Sequence, residues 1–260
     1  MIKGRVALIT GSLGGIGFEI AKAFAKNGAT VVLNGLLDQT LVKQQLQTIE
    51  HFGVPVLYIK ADLSQPSEIH QMVDDVLEQF GRVDIVVNNA VTRHDAIFEE
   101  LPSEHWNDAI AVNLSAPYHL LKRLLPGMKE RNWGRIINMA SIFGVGGMAG
   151  RADYVITKHA IVGMTKVIAL ECADFNITCN ALCPGAVETP TILDIVKKRA
   201  LDKGQDVEEF TKSFLQARQP SRRFVKPESV AALVLFLCSE AARDMTGTPI
   251  PMDGGWQARA

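Results

Sequence analysis

The 260-residue sequence predicts an α/β fold in which helices cover both faces of one doubly wound, parallel sheet of about seven strands. Short apolar runs alternate with amphipathic segments along the chain, as in repeated strand and helix units. The apolar runs are continuous rather than alternating, which is typical of strands buried on both faces. Because no linker rich in proline, serine or charge divides the chain, we interpret residues 1–260 as a single domain.

The elements follow one another in order from the amino terminus. Residues 5–10, RVALIT, form the first apolar run, and Ile16, Ile20 and Phe24 recur at the i, i+4, i+8 spacing of a helix directly after it. Further strands are predicted at 30–34, 55–59, 83–88, 135–140, 177–182 and 248–252, and further helices at 41–52, 64–80, 106–131, 152–173 and 227–238.

The segment at 190–218 interrupts this alternation. It is charged and irregularly patterned, and it follows the sixth predicted strand. Ligands of such sheets bind beyond the carboxyl ends of the strands. We therefore interpret the segment as a helical insertion that forms a mobile lid over a substrate, rather than as part of the core.

The composition argues against several classes of protein. A formal net charge of -1 provides no basic surface for nucleic acid. The longest apolar run, 231–238, is too short to cross a bilayer, and the first residues lack the features of a signal peptide. We expect a cytoplasmic protein without membrane or nucleic-acid partners. The cysteines form no CxxC pair and the histidines share no metal-binding spacing, so no metal site is predicted.

A glycine-rich turn connects the first strand with the first helix. Residues 10–17 read TGSLGGIG, and the glycines at 11, 15 and 17 let the backbone approach a ligand closely. The dipole at this helix terminus favours a pyrophosphate. The turn therefore indicates a dinucleotide site, with a purely structural turn as the alternative. Asp62 and the NNA sequence at 88–90 follow the next strands, where a carboxylate could accept a hydrogen bond from an adenine amino group.

Tyr154 precedes Lys158 by four residues, so a helix through this segment places the phenol and the ammonium side by side. A free tyrosine has a pKa near 10, and lowering it to ~7 takes about 4 kcal/mol of preference for the phenolate. A neighbouring ammonium supplies part of that preference. The spacing alone also occurs by chance on ordinary helices, and the surrounding motifs are what favour a chemical role.

Taken together, these motifs give the chain a resemblance to the short-chain dehydrogenase/reductase family over essentially its whole length. The sequences TGxxxGxG, NNA, AVNL at 111–114, a serine after the fifth strand, YxxxK and Pro184-Gly185 occur in the order and spacing of that family. The resemblance implies a Rossmann-type fold and a catalytic tetrad. In that tetrad Tyr154 exchanges the hydroxyl proton and Ser141 orients the substrate oxygen. Lys158 lowers the tyrosine pKa and holds the nicotinamide ribose, and Asn113 anchors a water in a proton relay.

The resemblance also implies a set of cofactor-binding positions. They lie in the glycine turn, at the ends of the next strands, at the Tyr/Lys pair and after the sixth strand: Gly11, Ser12, Gly15, Ile16, Gly17, Leu36, Asp62, Leu63, Asn89, Ala90, Tyr154, Lys158, Pro184, Gly185, Val187 and Thr189.

The residues after the second strand bear on the choice between NAD and NADP. The 2′-phosphate of NADP requires an arginine or lysine here, and none occurs before Lys43, so NAD is favoured over NADP. The acidic residue that usually anchors the ribose of NAD is missing directly after the strand, unless Asp38 reaches back.

The substrate pocket departs from the part of the family that the chain resembles most, the bacterial enzymes acting on D-3-hydroxybutyrate. Where those enzymes grip the substrate carboxylate with two glutamines, a histidine and a lysine, this chain has Arg93, Phe143, Arg151 and Ile195. One wall becomes apolar and a second arginine is available for an anion. His94 is a further candidate at the pocket mouth, with a role at the protein surface as the alternative.

Two backbone positions are unusual. Val91 occupies the place where the family usually has glycine after NNA, and a β-branched residue restricts the backbone there. Pro117 lies four residues after Asn113 and has no N–H, so the Asn113 carbonyl loses its helical partner. We hypothesise that Pro117 kinks this helix and frees a carbonyl for a relay water, against the alternative of a proline that is merely tolerated.

The predicted function is NAD-dependent hydride transfer between nicotinamide and a secondary alcohol or ketone, with 3-hydroxybutyrate as the first candidate. A larger anionic or cyclic alcohol or ketone is an alternative substrate. A catalytically silent NAD-binding sensor or assembly protein is the alternative from another class. The resemblance further implies a homotetramer, with the helices that bear Asn113 and Tyr154 at its interfaces.

Overall fold

The computed structural model describes residues 2–37 and 39–258. Seven parallel strands form one sheet in the order β3-β2-β1-β4-β5-β6-β7. The predicted α/β class and strand number are therefore confirmed. The strands are β1 Val6–Ile9, β2 Thr30–Gly35, β3 Val56–Lys60, β4 Ile85–Asn88, β5 Gly134–Met139, β6 Ile177–Pro184 and β7 Pro249–Met252.

Helices cover both faces of the sheet. In β1, Ala7 and Ile9 face a core shared with α1 and α9, whereas Val6 and Leu8 face a core shared with α3 and α5. A strand buried on both faces needs a continuous apolar run, as the sequence shows. The helices are α1 Gly15–Lys26, α2 Gln39–Glu50, α3 Pro66–Phe80, α4 Ser103–Ile110, α5 Ala116–Glu130, α6 Ala152–Glu171, α7 Pro190–Asp202, α8 Val207–Arg218 and α9 Pro227–Leu237.

The strand order reverses between β1 and β4. The chain winds outward from β1 through β2 to β3, then returns to place β4 on the other side of β1. The loop after β1 diverges from the loop after β4, which leaves a crevice at the carboxyl ends of the strands. The glycine turn and the NNA sequence therefore meet at this point.

The long helical stretch predicted at 106–131 is present, but it contains a π-helical turn that was not predicted. The structure has α4, the π-helical turn at Ala111–Ser115, and then α5. The N–H of Ala116 donates to the carbonyl of Ala111, five residues back. Pro117 follows directly in the first turn of α5, where its missing N–H cannot continue the ordinary ladder. The helix interruption that the Pro117 hypothesis requires is present, although periodicity alone did not show its π form.

The insertion at 190–218 consists of α7 and α8, which pack against each other. Thr189 caps α7 by accepting from the N–H of Ile192, and Asp206 caps α8 by accepting from Glu208 and Glu209. Its apparently irregular pattern resolves into two amphipathic helices with a small core of their own, made of Val196, Ala200, Phe210, Phe214 and Leu215.

Within residues 2–37 and 39–258, none of the helices combines the length and the apolar character that a membrane crossing requires. Over the same ranges, no three His, Cys, Asp or Glu side chains come together in a way suited to a metal ion.

Candidate active site

The glycine turn is held against the end of β4. The Asn89 amide donates to the carbonyls of Thr10 and Gly11 at 2.9 Å each, and its backbone N–H donates to the Thr10 hydroxyl. Gly11 has φ +58°, and a Cβ there would lie 2.9 Å from the Cα of Ala90. Only glycine satisfies both constraints. The NNA sequence therefore positions the turn through Asn89 and Ala90.

A cleft runs along the carboxyl ends of β1 to β4, and we call it the glycine-loop cleft. At one end is the amino terminus of α1, whose cap residue Gly14 makes no side-chain capping bond. The first N–H groups of α1 are thus left to a ligand, and the helix dipole favours an anion there. Nine of the predicted cofactor-binding residues line this cleft: Gly11, Gly15, Ile16, Leu36, Asp62, Leu63, Asn89, Ala90 and Thr189.

Other predicted cofactor-binding residues have structural contacts instead. The Ser12 hydroxyl is buried, donates to the carbonyl of Ile9 at 2.7 Å and accepts from the N–H of Asn34. A Cβ on Gly17 would lie 2.5 Å from the Asn89 amide nitrogen, so this glycine serves the packing of the turn. Pro184 and Val187 are buried outside the lining of the cleft, so their side chains do not face it.

The end of β2 presents apolar groups to the cleft. The Asn34 side chain is occupied within the protein, since its amide donates to the carbonyls of Ile59 and Ala61 and its oxygen accepts from the N–H of Gly11. Leu36 and Leu37 are exposed and line the cleft beyond it. Asp38, the possible ribose anchor, lies outside the described residues.

Tyr154, Lys158 and Ser141 meet beside the cleft. Tyr154 and Lys158 lie on α6, with the Lys158 Nζ 5.6 Å from the centroid of the tyrosine ring. Lys158 is 3% exposed and donates to the carbonyl of Met139 at 2.6 Å. Ser141 follows β5, lines the same space as Tyr154, and accepts from the N–H of Phe143 at 3.2 Å. The i, i+4 pair predicted from the sequence is therefore one part of a buried cluster.

The surroundings of Tyr154 shift its pKa in opposite directions. Burial raises the pKa of Tyr154 above its ordinary value, while the hydrogen bond from Ser141 and the charges of Arg93 and Arg151 lower it. Burial also lowers the pKa of the Lys158 ammonium to about 8. The sequence suggested Lys158 as the charge that favours phenolate, whereas the charges that lower the pKa of Tyr154 in the structure are those of Arg93 and Arg151.

Asn113 lies in the π-helical turn and is 2% exposed. Its oxygen accepts from the N–H of Thr92, and its amide donates to the Thr92 carbonyl, both at 2.9 Å. The same amide donates to the Thr157 hydroxyl at 3.2 Å. The Asn113 side chain therefore ties the loop after β4 to the helix that bears Tyr154 and Lys158.

A second cavity adjoins Tyr154, and we call it the arginine cavity. Four of the five residues predicted to contact substrate line it together with Ser141 and Tyr154, namely Arg93, Phe143, Arg151 and Ile195. Phe143 packs edge-on against both Tyr154 and Trp256, with ring centroids 6.5 and 5.9 Å apart. Arg93 also lines the glycine-loop cleft, so it lies where the two spaces meet.

Sequence reasoning missed several residues of this cavity. Arg199 and Arg218 line it, as do Ile192 and Phe214, and all four come from the insertion. Their spacing carried a signal, because Ile192, Ile195 and Arg199 follow the i, i+3, i+7 period of one helix face. The signal was overlooked because the insertion was interpreted as irregular.

The predicted position of His94 at the pocket mouth is wrong, since His94 does not line the arginine cavity. Its backbone N–H and its Nδ1 lie 3.0 and 2.9 Å from an oxygen of Asp153, which is fully buried. Its ring stacks on His105 at 3.9 Å. A buried carboxylate attracts its nearest donors, so His94 fastens the loop that carries Arg93 to the start of α6.

Val91 lines the glycine-loop cleft and is 44% exposed. The non-glycine residues with positive φ among the described residues are Asn132 and Arg222, so Val91 is outside the left-handed region. The residue therefore introduces a side chain into the cleft without strain in the backbone.

A doubly wound sheet with a glycine turn, a buried Tyr/Lys/Ser cluster and an adjoining cavity lined by arginines defines an oxidoreductase of the nucleotide-dependent type. The family model described as enoyl-(acyl carrier protein) reductase matches residues 11–257. D-beta-hydroxybutyrate dehydrogenases of Cupriavidus necator and Rhizobium meliloti are 44% and 40% identical to this chain. The alignments cover 100% of both chains for the first, and 98% of this chain and 99% of the relative for the second.

Among solved structures, L-sorbose reductase from Gluconobacter frateurii, complexed with NADPH and L-sorbose, superposes with a TM-score of 0.94 at 35% identity. The match covers 100% of this chain and 98% of that one. The chain belongs to the short-chain dehydrogenase/reductase family, and it is an enzyme that acts on CH–OH or carbonyl groups.

Proposed function

We propose that this enzyme uses NAD to interconvert a secondary alcohol and a ketone in a short acid that carries the hydroxyl at position 3. The observation that carries the proposal is the meeting of Tyr154 and Ser141 with Arg93 and Arg151 in one cavity. One substrate molecule in this cavity would therefore contact both a proton-transfer group and a carboxylate-binding group. The D-beta-hydroxybutyrate dehydrogenases at 44% and 40% identity support this substrate class.

The glycine-loop cleft fits a nicotinamide dinucleotide. The uncapped N–H groups of α1 and the left-handed Gly11 and Gly15 would hold the pyrophosphate. One oxygen of Asp62 accepts from the N–H of Ser64, which orients the carboxylate for the adenine. Lys158 would hold the nicotinamide ribose. Bound there, the cofactor supplies the hydride acceptor or donor.

The lining of the cleft near β2 favours NAD over NADP. Leu36 and Leu37 offer no charge to a 2′-phosphate, and the Asn34 side chain is occupied within the protein. The one arginine among the described residues that line the cleft, Arg93, lies at the opposite end beside the arginine cavity. L-sorbose reductase, which binds NADPH, has the same fold, so the choice depends on these side chains.

Tyr154 would accept the hydroxyl proton during oxidation and donate it during reduction. Ser141, which lines the arginine cavity together with Tyr154, would hold the substrate oxygen against the phenol. Arg93 and Arg151 lower the pKa of Tyr154 and so favour the phenolate that abstracts the proton. The arginines would thus serve both substrate binding and the acid–base step.

A proton path from Tyr154 to solvent would pass through Lys158 and a water held by the Asn113 carbonyl. Pro117 lies four residues on and offers that carbonyl no N–H. In the Pro117→Ala variant the relay should weaken, and the pH profile of turnover should move. An unchanged profile and unchanged turnover would remove Pro117 from the mechanism.

The experiment that tests the function is a comparison of NAD reduction by D- and L-3-hydroxybutyrate, by longer 3-hydroxy acids, and by cyclic alcohols and polyols without a carboxylate. We expect hydroxy acids to exceed uncharged alcohols by at least tenfold in kcat/KM, because only they engage Arg93 and Arg151. The same assay with NADP should give a kcat/KM at least tenfold lower. Equal use of uncharged alcohols would contradict the proposed substrate class.

We also propose a cytoplasmic homotetramer with a mobile lid at 190–218. Large apolar side chains on α5 and α6 are exposed in the single chain, among them Tyr118, Ile156, Val167 and Leu170. Light scattering should give four times the mass of one chain, and substitution of Leu170 by a charged residue should lower that mass.

The mobile lid has a test of its own. Protease cleavage within α7 and α8 should slow when cofactor and substrate are bound.

A further inference from the structure

The arginine cavity carries more positive charge than the protein balances. Four arginines line it, and Asp95 contacts two of them, with its oxygens 2.6 Å from Arg151 Nε and 2.9 Å from an Arg199 nitrogen. Arg93 and Arg218 form no ion pair with any residue at 2–37 or 39–258. Two guanidinium groups are therefore left for anions from outside the protein.

These two arginines line different parts of the site. Arg93 lines both the arginine cavity and the glycine-loop cleft, so it stands next to the reacting centre. Arg218 lines the arginine cavity alone. The charge of Arg93 acts on the pKa of Tyr154 and Lys158, whereas the charges of Arg199 and Arg151 act on the pKa of Arg218. Arg218 therefore belongs to the part of the cavity that does not adjoin the glycine-loop cleft.

Arg218 is held in place by the insertion. It ends α8, and its guanidinium carbon lies 4.1 Å from the centre of the Phe214 ring, one turn earlier. This stacking leaves the guanidinium edge, with its N–H donors, free for a carboxylate. Burial and the nearby charges of Arg199 and Arg151 lower the pKa of Arg218, and an anion at this position would relieve that repulsion.

The space between the two arginines has apolar walls. Phe143, Ile195 and Phe214 line it, joined by Met148 and Ile192. Such walls bind methylene groups and offer nothing to a hydroxyl or an amide. A substrate that reaches from Arg93 to Arg218 therefore carries an apolar segment between two charged ends.

We propose that the substrate is a hydroxy or oxo acid with two anionic groups, one at Arg93 beside the reacting carbon and one at Arg218, joined by a short methylene chain. Arg218 is then the residue that determines specificity for the second carboxylate, a group that D-beta-hydroxybutyrate lacks. The inference rests on the proposed function, because it takes Tyr154 as the position of the carbinol. It goes beyond that function by adding a second carboxylate.

Calorimetric binding to the NADH-loaded enzyme tests the proposal without turnover. The ligands are unbranched dicarboxylates of four to eight carbons and the monocarboxylates of equal length, so each pair differs only in the terminal carboxylate. At the best length we expect the dicarboxylate to bind about tenfold more tightly, as for one partly desolvated carboxylate–arginine pair. The difference should shrink at high salt.

Three variants test whether the tighter binding of dicarboxylates depends on Arg218. Arg218→Met should bring each dicarboxylate to within threefold of its monocarboxylate, and Arg218→Lys should keep part of the advantage because the charge remains. Lys212→Met is the matched control, since Lys212 lies on the same helix, pairs with Glu208 and points to solvent. It should retain the full advantage.

An advantage below threefold at every length in the unmodified enzyme would overturn the proposal, as would an advantage that survives Arg218→Met. A dicarboxylate preference without oxidation of any hydroxy acid would instead overturn the proposed function alone. Circular dichroism of each variant confirms that the chain is folded.

Discussion

The two ends of the active site are built differently. Around Tyr154 the polar groups are buried and paired: Lys158 donates to Met139, Asn113 bonds with Thr92 and Thr157, and Ser141 accepts from the N–H of Phe143. The lining of the arginine cavity, which we call the outer wall, is mostly half exposed, and Arg93 and Arg218 form no ion pair among the described residues. Buried polar groups tolerate little change because each unpaired one is costly, whereas half-exposed residues change cheaply. We therefore expect the inner end to govern the reaction and the outer wall to govern the choice of substrate.

The largest effect should come from the inner end. Tyr154→Phe removes the proton-transfer group and keeps the ring, so we expect kcat to fall by about 10³-fold or more, at the upper part of the range for general acid–base catalysis. NADH binding, followed by fluorescence titration, should change by less than threefold. A variant that keeps a tenth of its turnover would show that Tyr154 is not the group that exchanges the proton.

Lys158→Met should separate stability from activity. In the folded chain burial lowers the pKa of Lys158 from 10.5 to about 8, so between these values the unfolded chain binds more protons and stability rises with pH. Below pH 8 the full cost of the buried ammonium is present, on the order of 1–3 kcal/mol. The variant should therefore be more stable at pH 7 but almost inactive, and its advantage should shrink from pH 8 to 10.5.

Urea denaturation of both proteins across that pH range measures the difference. Groups common to both proteins cancel, so the pH dependence of the gap reports on Lys158 alone. A variant that is less stable than the unmodified protein at pH 7 would mean that the hydrogen bond to Met139 outweighs the cost of burial.

Substitutions in the outer wall should change which substrate is preferred rather than the rate of the chemical step. The double variant Phe143→His, Ile195→Gln provides polar groups for a short carboxylate at the positions where the wall is apolar. We expect kcat/KM for D-3-hydroxybutyrate to rise about tenfold and that for longer hydroxy acids to fall. The control is Lys212→Met, at an exposed residue of α8 that pairs with Glu208, which should leave both values unchanged. Parallel changes for all substrates would show that this wall does not select among them.

A smaller effect should follow from loosening the connection between the two ends. Asp153→Asn weakens the contacts with the backbone and ring of His94, and so frees the loop that carries Arg93. KM for the hydroxy acid should rise about threefold to tenfold, with little change in kcat, because the geometry at Tyr154 persists. A fall in kcat alone would place Asp153 with the inner end instead.

Much of the inner end could be predicted from the sequence. The glycine turn, the NNA sequence and the Tyr/Lys pair are short local patterns, and each lies at the end of a strand whose apolar run is itself visible. The outer wall could be predicted only in part. Arg93, Phe143, Arg151 and Ile195 were found, whereas Arg199, Arg218 and Phe214 were missed, and His94 was placed in the wrong surroundings.

The sequence by itself determined the order of strands and helices and the spacing of Tyr154 and Lys158, because those depend on residues a few positions apart. Only the tertiary structure decided which arginines remain unpaired. Asp95 pairs with Arg199 across 104 residues, and Ser12 pairs with Asn34 across 22. Such contacts depend on how distant elements pack, so the unpaired charges of the outer wall became visible only in the folded chain.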